Sequence, residues 1–406
     1  MHGSGLTHEK QLHLRQNWRN GPQMEKNTLD EFSIQHLFAD LEDPRQAHKV
    51  KHRLDDIILL AIFAVISNAQ SWTEIAAFGQ AKEAWLRQYL ILENGIPSHD
   101  TIQRVFQLLA PDVLMSRFMK WTQGIMSVSE GKIIAIDGKT LRGSHDVSQE
   151  RKALHMVRAW ATEQGLLLGH RKVDEKSNEI TAIPEILDLL ALKGCIVTID
   201  AMGCQTDIAQ QIIDQGGNYV LALKGNQPRL YTHAVEWFDY AMQTDFGLVG
   251  DHDYAQTVNK GHGRIDIREC WLIRDTPVIQ EFREQHGWTG LRTLVMVRRQ
   301  REIAGERTEE RNYYISSLLD DATDILHAVR RHWAVENECH WVLDVVFDED
   351  RSRIRLGDSP ENFSLLRQMA ISILKQDKSK GSLKGKRFKA ALNDDFRAQL
   401  IQNLHA

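Results

Sequence analysis

Proline is scarce, with 8 in 406 residues, so few breaks are imposed on helices. Cysteine is scarcer still. Cys195, Cys204, Cys270 and Cys339 are scattered without a CxxC pair, which speaks against a zinc knuckle or a disulfide framework and suits a reducing cytoplasm. Long hydrophobic runs are lacking too. The longest, Ile57 to Ile66, is too short to span a bilayer. No secretory signal is read in residues 1–23, which are polar and irregular, and Met24 offers an alternative start. A cytoplasmic protein without a membrane partner is expected. Positive charge is not in excess, since 50 Lys and Arg against 55 Asp and Glu leave −5. Binding to nucleic acid by overall charge is thereby excluded, and any such site must be a local patch.

What is present is ordinary for a globular chain: 42% hydrophobic and 26% charged residues. Residues 1–29 read as a flexible segment. Residues 30–125 read as a helical module. "LDDIILLAIFAVISNAQSWTEIAAF" opens on Asp55 and Asp56 as caps, and Ser98 caps "PSHDTIQRVFQLL". Upstream, Arg45, Lys49, Lys51 and Arg53 form a solvated basic face or a DNA-contacting one. From 130 the pattern alternates. "KIIAID", "CIVTID" and "NYVLALKG" are buried strands. "LHMVRAWAT" and "GLLLGHRKV" form a hairpin around Glu163–Gly165. "ITAIPEILDLLAL" and "QTDIAQQIIDQG" are helices. This predicts a mixed α/β sheet over 130–376. Residues 226–312 read as a β-rich insertion, with a turn near Gly305. A long helix follows from about 321 to 347, and another over 360–376. Residues 377–406 read as a basic linker and a C-terminal helix. The stretch 375–389 carries seven Lys or Arg and one Asp.

Three carboxylates stand out. Asp137 and Asp200 each end an apolar strand. In a right-handed α/β arrangement those strands lie parallel, with both acids at the carboxyl edge where such sheets hold their sites. On the late helix, Glu336 falls on or beside an apolar stripe through Ile325, Ala328, Val329, Trp333, Cys339, Leu343 and Phe347. Three clustered carboxylates repel in a low dielectric, and a divalent cation relieves the repulsion. Oxygen ligands without cysteine favour Mg²⁺ or Mn²⁺. Such ions support in-line phosphoryl displacement without a protein nucleophile. Taken singly, an Asp ending a strand is ordinarily a turn or cap residue, and Glu336 could be satisfied by Arg330 or Arg331. A zinc site from His332, Glu336 and His340 is excluded for all three together: the outer pair lies about 12 Å apart along a helix.

These residues resemble the DDE transposases of bacterial insertion sequences, most closely the ISAs group with the H-repeat-associated proteins. "AIDGKTLRG" (135–143) resembles the first-Asp motif, and "DAMGCQ" (200–205) with "LKGNQ" (223–227) the second. "HGRIDIRE" (262–269) resembles the HGR motif, and "HWAVENECHWVLDVVFDEDRSRIR" (332–355) the Glu-bearing signature. The resemblance implies a ribonuclease H-like fold and Mg²⁺-dependent cutting and joining of transposon ends. It implies an Asp137, Asp200 and Glu336 triad that is both catalytic and metal-binding. Double-stranded DNA is the expected partner, in a homodimer on DNA. Lys139, Arg142, Lys224, His262, Arg264 and Arg331 are candidate DNA contacts, with Asn226, Gln227, Arg330 and His340 beside them. Trp271 is either a base-stacking surface or a sheet-packing residue. A nuclease without strand transfer and an inactive DNA-binding remnant are the rival readings.

Overall fold

The computed structural model describes residues 37–125, 132–145, 152–173, 178–261, 263–274 and 276–402. Among the described residues four α-helices come first: α1 (Leu54–Ile66), α2 (Trp72–Leu86), α3 (His99–Leu108) and α4 (Pro111–Ile125). Ser71 and Ser98 accept bonds from the backbone N–H groups of Glu74 and Thr101, capping α2 and α3. α1 is apolar on all sides and buried along almost its whole length, as a central core helix must be. Asp55 and Asp56 do not cap it, for Arg53 holds the cap position without a side-chain bond. Asp56 instead turns inward and accepts from the N–H groups of Ile91 and Leu92 at 3.1 and 2.9 Å. Two backbone donors in a buried turn hold that carboxylate more firmly than a helix end does. Of the upstream basic residues, Arg45 pairs with Asp43 and Arg53 with Asp55.

Among the described residues a mixed sheet of nine strands follows. Its first five strands are β1 (Ile133–Leu141), β2 (Leu154–Ala161), β3 (Leu166–Lys172), β4 (Ile196–Ile199) and β5 (Asn218–Leu223). Helix α5 (Glu179–Leu187) leads into β4, and α6 (Thr206–Asp214) links β4 to β5. β1, β4 and β5 are parallel neighbours, and β2 and β3 form an antiparallel hairpin on the other side of β1. Beyond β5 come α7 (Pro228–Gln243), β6 (His252–Gly261), β7 (Arg264–Arg274), α8 (Pro277–Gln285), β8 (Thr293–Ile303) and β9 (Glu306–Ser316). The region expected as a β-rich insertion therefore also carries two helices. Its strands do not form a separate sheet. β9 pairs antiparallel with β5, and the full order is β3-β2-β1-β4-β5-β9-β8-β7-β6. The β8–β9 turn passes through Ala304 and Gly305, both at positive φ.

The chain closes with α9 (Ala322–His332), a π-helical turn at Val335–His340, α10 (Trp341–Val345), α11 (Ser359–Gln376), α12 (Leu383–Leu392) and α13 (Asp394–Gln402). Pleating divides the sheet into two faces. Ile134, Ile136, Val157 and Ala159 pack among α5 to α8. Ile133, Ala135 and Trp160 face the other way, toward α9 and a large helical core that unites α1–α4 with α11–α13.

The stretch 375–389 is not a flexible linker: it folds into α12 from Leu383 onward. Arg387 is buried, donates to the carbonyls of Val65 and Val346, and lies 3.9 Å over the Phe347 ring. Lys386 pairs with Asp377 at 3.0 Å. Val65 lies in the last turn of α1, where carbonyls lack helical partners. Arg387 satisfies one of those oxygens and so fastens α12 to the end of α1.

Candidate active site

β1 and β4 run parallel in a register that pairs Ile136 with Ile199. The next residue on each strand is an acid, so Asp137 and Asp200 emerge side by side. Alternation puts Asp137 on the face of Ile133 and Ala135, beneath α9. Asp200 also caps the following turn, its Oδ1 accepting from the N–H groups of Met202 and Gly203 at 3.0 and 3.4 Å. The cap role and membership of the acidic pair coexist in one side chain. Burial pushes the Asp137 carboxyl above its ordinary range; the field of His332 opposes this and that of Glu179 adds to it. Asp200 is also raised, first by burial, then by Glu179, with Asp137 adding a smaller push. Ionised carboxyls are therefore disfavoured at this strand edge, first by burial and then by one another's charge.

Glu336 reaches the same field from the π-helical turn. Burial raises its carboxyl, and the charge of Asp137 adds to the effect. The expected inward position is not found: Glu336 is exposed, and Trp333 is 50% exposed. The helical wheel assumed 3.6 residues per turn, whereas a π turn spans one residue more. That extra residue brings Val335 inward, leaves Cys339 buried as expected and turns Glu336 out. Glu338, the other acid of this turn, is engaged by Lys375 at 2.7 Å and Arg331 at 3.3 Å. Among the described residues, no three His, Cys, Asp or Glu side chains converge closely enough to hold a metal ion. The three acids share one region, with Glu336 outermost.

Two histidines line the site. His340 Nδ1 lies 3.4 Å from Asp137 Oδ2, and His332 Nδ1 lies 3.1 Å from Thr198 Oγ1. Burial holds both imidazoles below their ordinary range, His340 well below it, with Arg158 as its next cause. Both shifts favour the neutral imidazole. A fourth carboxylate, Glu179, was not singled out in the sequence. Its Oε1 lies 2.6 Å from His155 Nε2, and His155 Nδ1 lies 2.8 Å from Thr140 Oγ1. A Cβ on Gly138 would stand 2.1 Å from that Oε1 and 2.8 Å from His155 Nε2. Glycine after Asp137 thus makes room for the pair. In sequence, Glu179 is simply an acid in the first turn of a helix capped by Asn178, a pattern that carries no functional signal by itself.

The basic candidates divide. Lys139 donates to the His340 carbonyl at 3.3 Å and pairs with Asp344. Arg331 is engaged by the Thr162 carbonyl, Glu163 and Glu338. Both tie the Glu336 segment to the sheet. Arg142 is largely exposed, 3.9 Å from Asp350, and Lys224 is exposed at the end of β5. Asn226 and Gln227 donate to the carbonyls of Ala201 and Cys204, fastening the loop after Asp200. Arg264 begins β7, 3.2 Å from Asp266. His262 lies outside the described residues. Trp271 is buried against Tyr254, with Arg298 4.9 Å over its ring; it packs the sheet and is not free to stack on a base.

Fold and site together define a mixed α/β protein with an acidic site at its parallel strand ends. Residues 129–373 match the family described as "Transposase DDE domain", and residues 35–122 match "DDE_Tnp_1-associated". The chain belongs to the DDE-domain transposase family. It is 44% identical to "Putative protein YbfL" of Escherichia coli (strain K12), over 89% of this chain and 95% of that one. It is 43% identical to "H repeat-associated putative transposase YhhI" of the same strain over the same shares. To "Putative transposase YncI" of Escherichia coli O157:H7 it is 43% identical over 89% and 92%. A piggyBac transposase synaptic complex with hairpin DNA aligns with 93% of this chain and 79% of its own, at 9% identity and TM-score 0.37.

Proposed function

We propose that this chain cleaves DNA at the ends of an insertion sequence and joins them to target DNA, with Asp137, Asp200 and Glu336 as its catalytic carboxylates. One observation carries the reading: Asp137 and Asp200 stand one residue beyond a parallel register pair, and the charge of Asp137 reaches both Asp200 and Glu336. The strand order β3-β2-β1-β4-β5, with β2 alone running against the other four, supports a ribonuclease H-like core within 130–376. The relatives named as transposases support the activity.

The donor set fits a hard divalent cation: carboxylate oxygens, neutral imidazoles and no thiolate at the strand edge. Mg²⁺, or Mn²⁺ in its place, would be held by Asp137, Asp200 and Glu336 once Glu336 draws in toward the two strand acids, with which it does not converge closely enough here, and would supply Lewis acidity to the scissile phosphodiester. This chain's own residues prepare the place. His340 lies against Asp137, Asn226 and Gln227 hold the Asp200 loop, and Lys139 and Arg331 anchor the turn that carries Glu336. Two DNA ends call for two active sites, which favours a homodimer on DNA.

The test uses a DNA fragment bearing the ends that flank the gene, together with a pre-cleaved end carrying a free 3′-hydroxyl. Cleavage and joining are expected in Mg²⁺ or Mn²⁺, and binding without chemistry in Ca²⁺. Asp137→Ala, Asp200→Ala and Glu336→Ala are each expected to abolish cleavage while DNA binding persists. Full activity in any one variant removes that residue from the set. Hydrolysis without joining makes the protein a nuclease, and strong turnover in EDTA contradicts the metal role.

A further inference from the structure

On the face of the sheet that α9 covers, the apolar surface gives way to charge. Cys270, Leu272, Val295 and Val297 pack against Ile325, Leu326 and Val329 of α9. Farther along the same strands, on the same side of the pleat, the residues become Arg264, Asp266 and Arg268 on β7, Arg299 and Arg301 on β8, and Glu310 on β9. An open cleft of about 440 Å³ lies between this part of the sheet and the end of α9, and Arg330 enters it from the helix. Five arginines meet there with two carboxylates.

The charge is not balanced internally. Asp266 alone answers four guanidiniums, those of Arg301 at 2.8 Å, Arg264 at 3.2 Å, Arg268 at 3.8 Å and Arg299 at 3.9 Å. Arg299 Nε is buried without a hydrogen-bond partner among the described residues, and Arg330 makes no ion pair among them. Clustered guanidiniums repel one another, so the arrangement leaves donors and positive potential to be satisfied from outside. Arg264 and Arg268 are four residues apart, about 13 Å along an extended strand. That spread suits a chain of anions better than a single one. The wall at the α9 end includes Trp333 and Asn337, and Asn337 is the residue after Glu336.

We propose that this cleft seats the phosphodiester backbone of double-stranded DNA and delivers it to Glu336, with Arg264, Arg268, Arg299, Arg301 and Arg330 as the contacts. The assignment rests on the transposase reading above. It places the principal DNA grip on the sheet extension and not on Lys139 or Arg331, whose charges are engaged within the fold.

The test measures equilibrium binding of a labelled random-sequence duplex to the full chain in EDTA, where no chemistry intervenes. Each phosphate contact adds about 0.9 to the slope of log affinity against log salt. Arg268→Ala with Arg299→Ala is expected to lower the slope by about 1.8, and Arg330→Ala by about 0.9. The matching lysine variants are expected to restore it. Thermal unfolding checks each variant. If the sheet double variant does not fold, Arg330→Ala on the helix decides alone. A wild-type slope in folded alanine variants of a protein that still cuts DNA overturns the cleft. A slope that falls as expected, in a protein that cuts nothing in Mg²⁺, retains the cleft and removes the cleavage reading.

Discussion

Glu349→Ala tests the floor beneath the acidic site. Glu349 and Arg158 are both fully buried, 3.0 Å apart. Ser364 donates its hydroxyl to Glu349 at 2.7 Å and accepts from Arg158 at 3.1 Å. Arg367, also fully buried and stacked 4.4 Å over Phe363, feels the same carboxylate. Burial opposes ionisation of Glu349, yet Arg158, Arg367 and Ser364 together hold its carboxyl below the ordinary range. Burial pushes the Arg367 guanidinium down to about 10, with Glu349 opposing that shift.

An exposed pair of this geometry would contribute about 0–1 kcal/mol. Removing one partner of a buried pair costs about 3–5 kcal/mol, because the other charge is stranded. Here two guanidiniums are stranded, so the upper end, about 5 kcal/mol, is expected. Glu349→Gln keeps an acceptor for Ser364 and should fall near the lower end, about 3 kcal/mol. Arg158→Met with Glu349→Leu should lose less than Glu349→Ala, since only Arg367 is then stranded and not two guanidiniums. The assay is urea unfolding of all four proteins. The pH dependence has a defined sign. A depressed carboxyl stabilises the fold above its unfolded pKa, about 4.3, and that stabilisation is lost as pH falls through the lower folded value. The gap between wild type and Glu349→Gln should therefore be full at neutral pH and close on acidification. A Glu349→Ala loss under about 1 kcal/mol would refute the reasoning, since it would equate this pair with a solvated one. The stakes reach the site, because Arg158 is the cross-strand partner of Asp137.

Two further outcomes are expected. A Cβ on Gly143 would stand 2.3 and 2.7 Å from the carbonyl oxygens of Ser352 and Asp350. Backbone cannot swing away, so Gly143→Ala should cost about 3 kcal/mol, and more than Gly138→Ala, which meets only side-chain ends; the reverse order in urea unfolding contradicts this. Asp137 is raised above its unfolded pKa by burial, so its ionised form weakens the fold at neutral pH. Asp137→Asn should raise the melting temperature at pH 7 in EDTA, and the gain should shrink as pH falls through the raised value. A melting temperature that matches wild type throughout that range speaks against it.

The strands "KIIAID", "CIVTID" and "NYVLALKG", the hairpin near Gly165 and the Ser98 cap were legible because each depends on local patterning. The acids after "KIIAI" and "CIVTI" were legible for the same reason, but only Asp200 ends its strand: β1 runs past Asp137 to Leu141, because β2 goes on pairing with it after the parallel ladder to β4 has stopped. Glu336 was legible as a residue but not in its orientation, since the π turn that rotates it outward departs from the 3.6-residue period on which a helical wheel depends. The fate of 375–389 was misjudged because a run of lysines reads as solvated until carbonyls such as that of Val65 are placed beside it.

Local sequence therefore determined most of the elements, the acids that follow the parallel pairing of two strands and the family signatures. Tertiary structure alone decided which charges are engaged and which are left over. Lys139 and Arg331 are paired with groups brought near by folding, Glu179 enters the acidic site through a helix start, and four arginines share Asp266. The reason is that pairing is a matter of distance between residues far apart in the chain, and the spacing of residues along a sequence does not contain that distance.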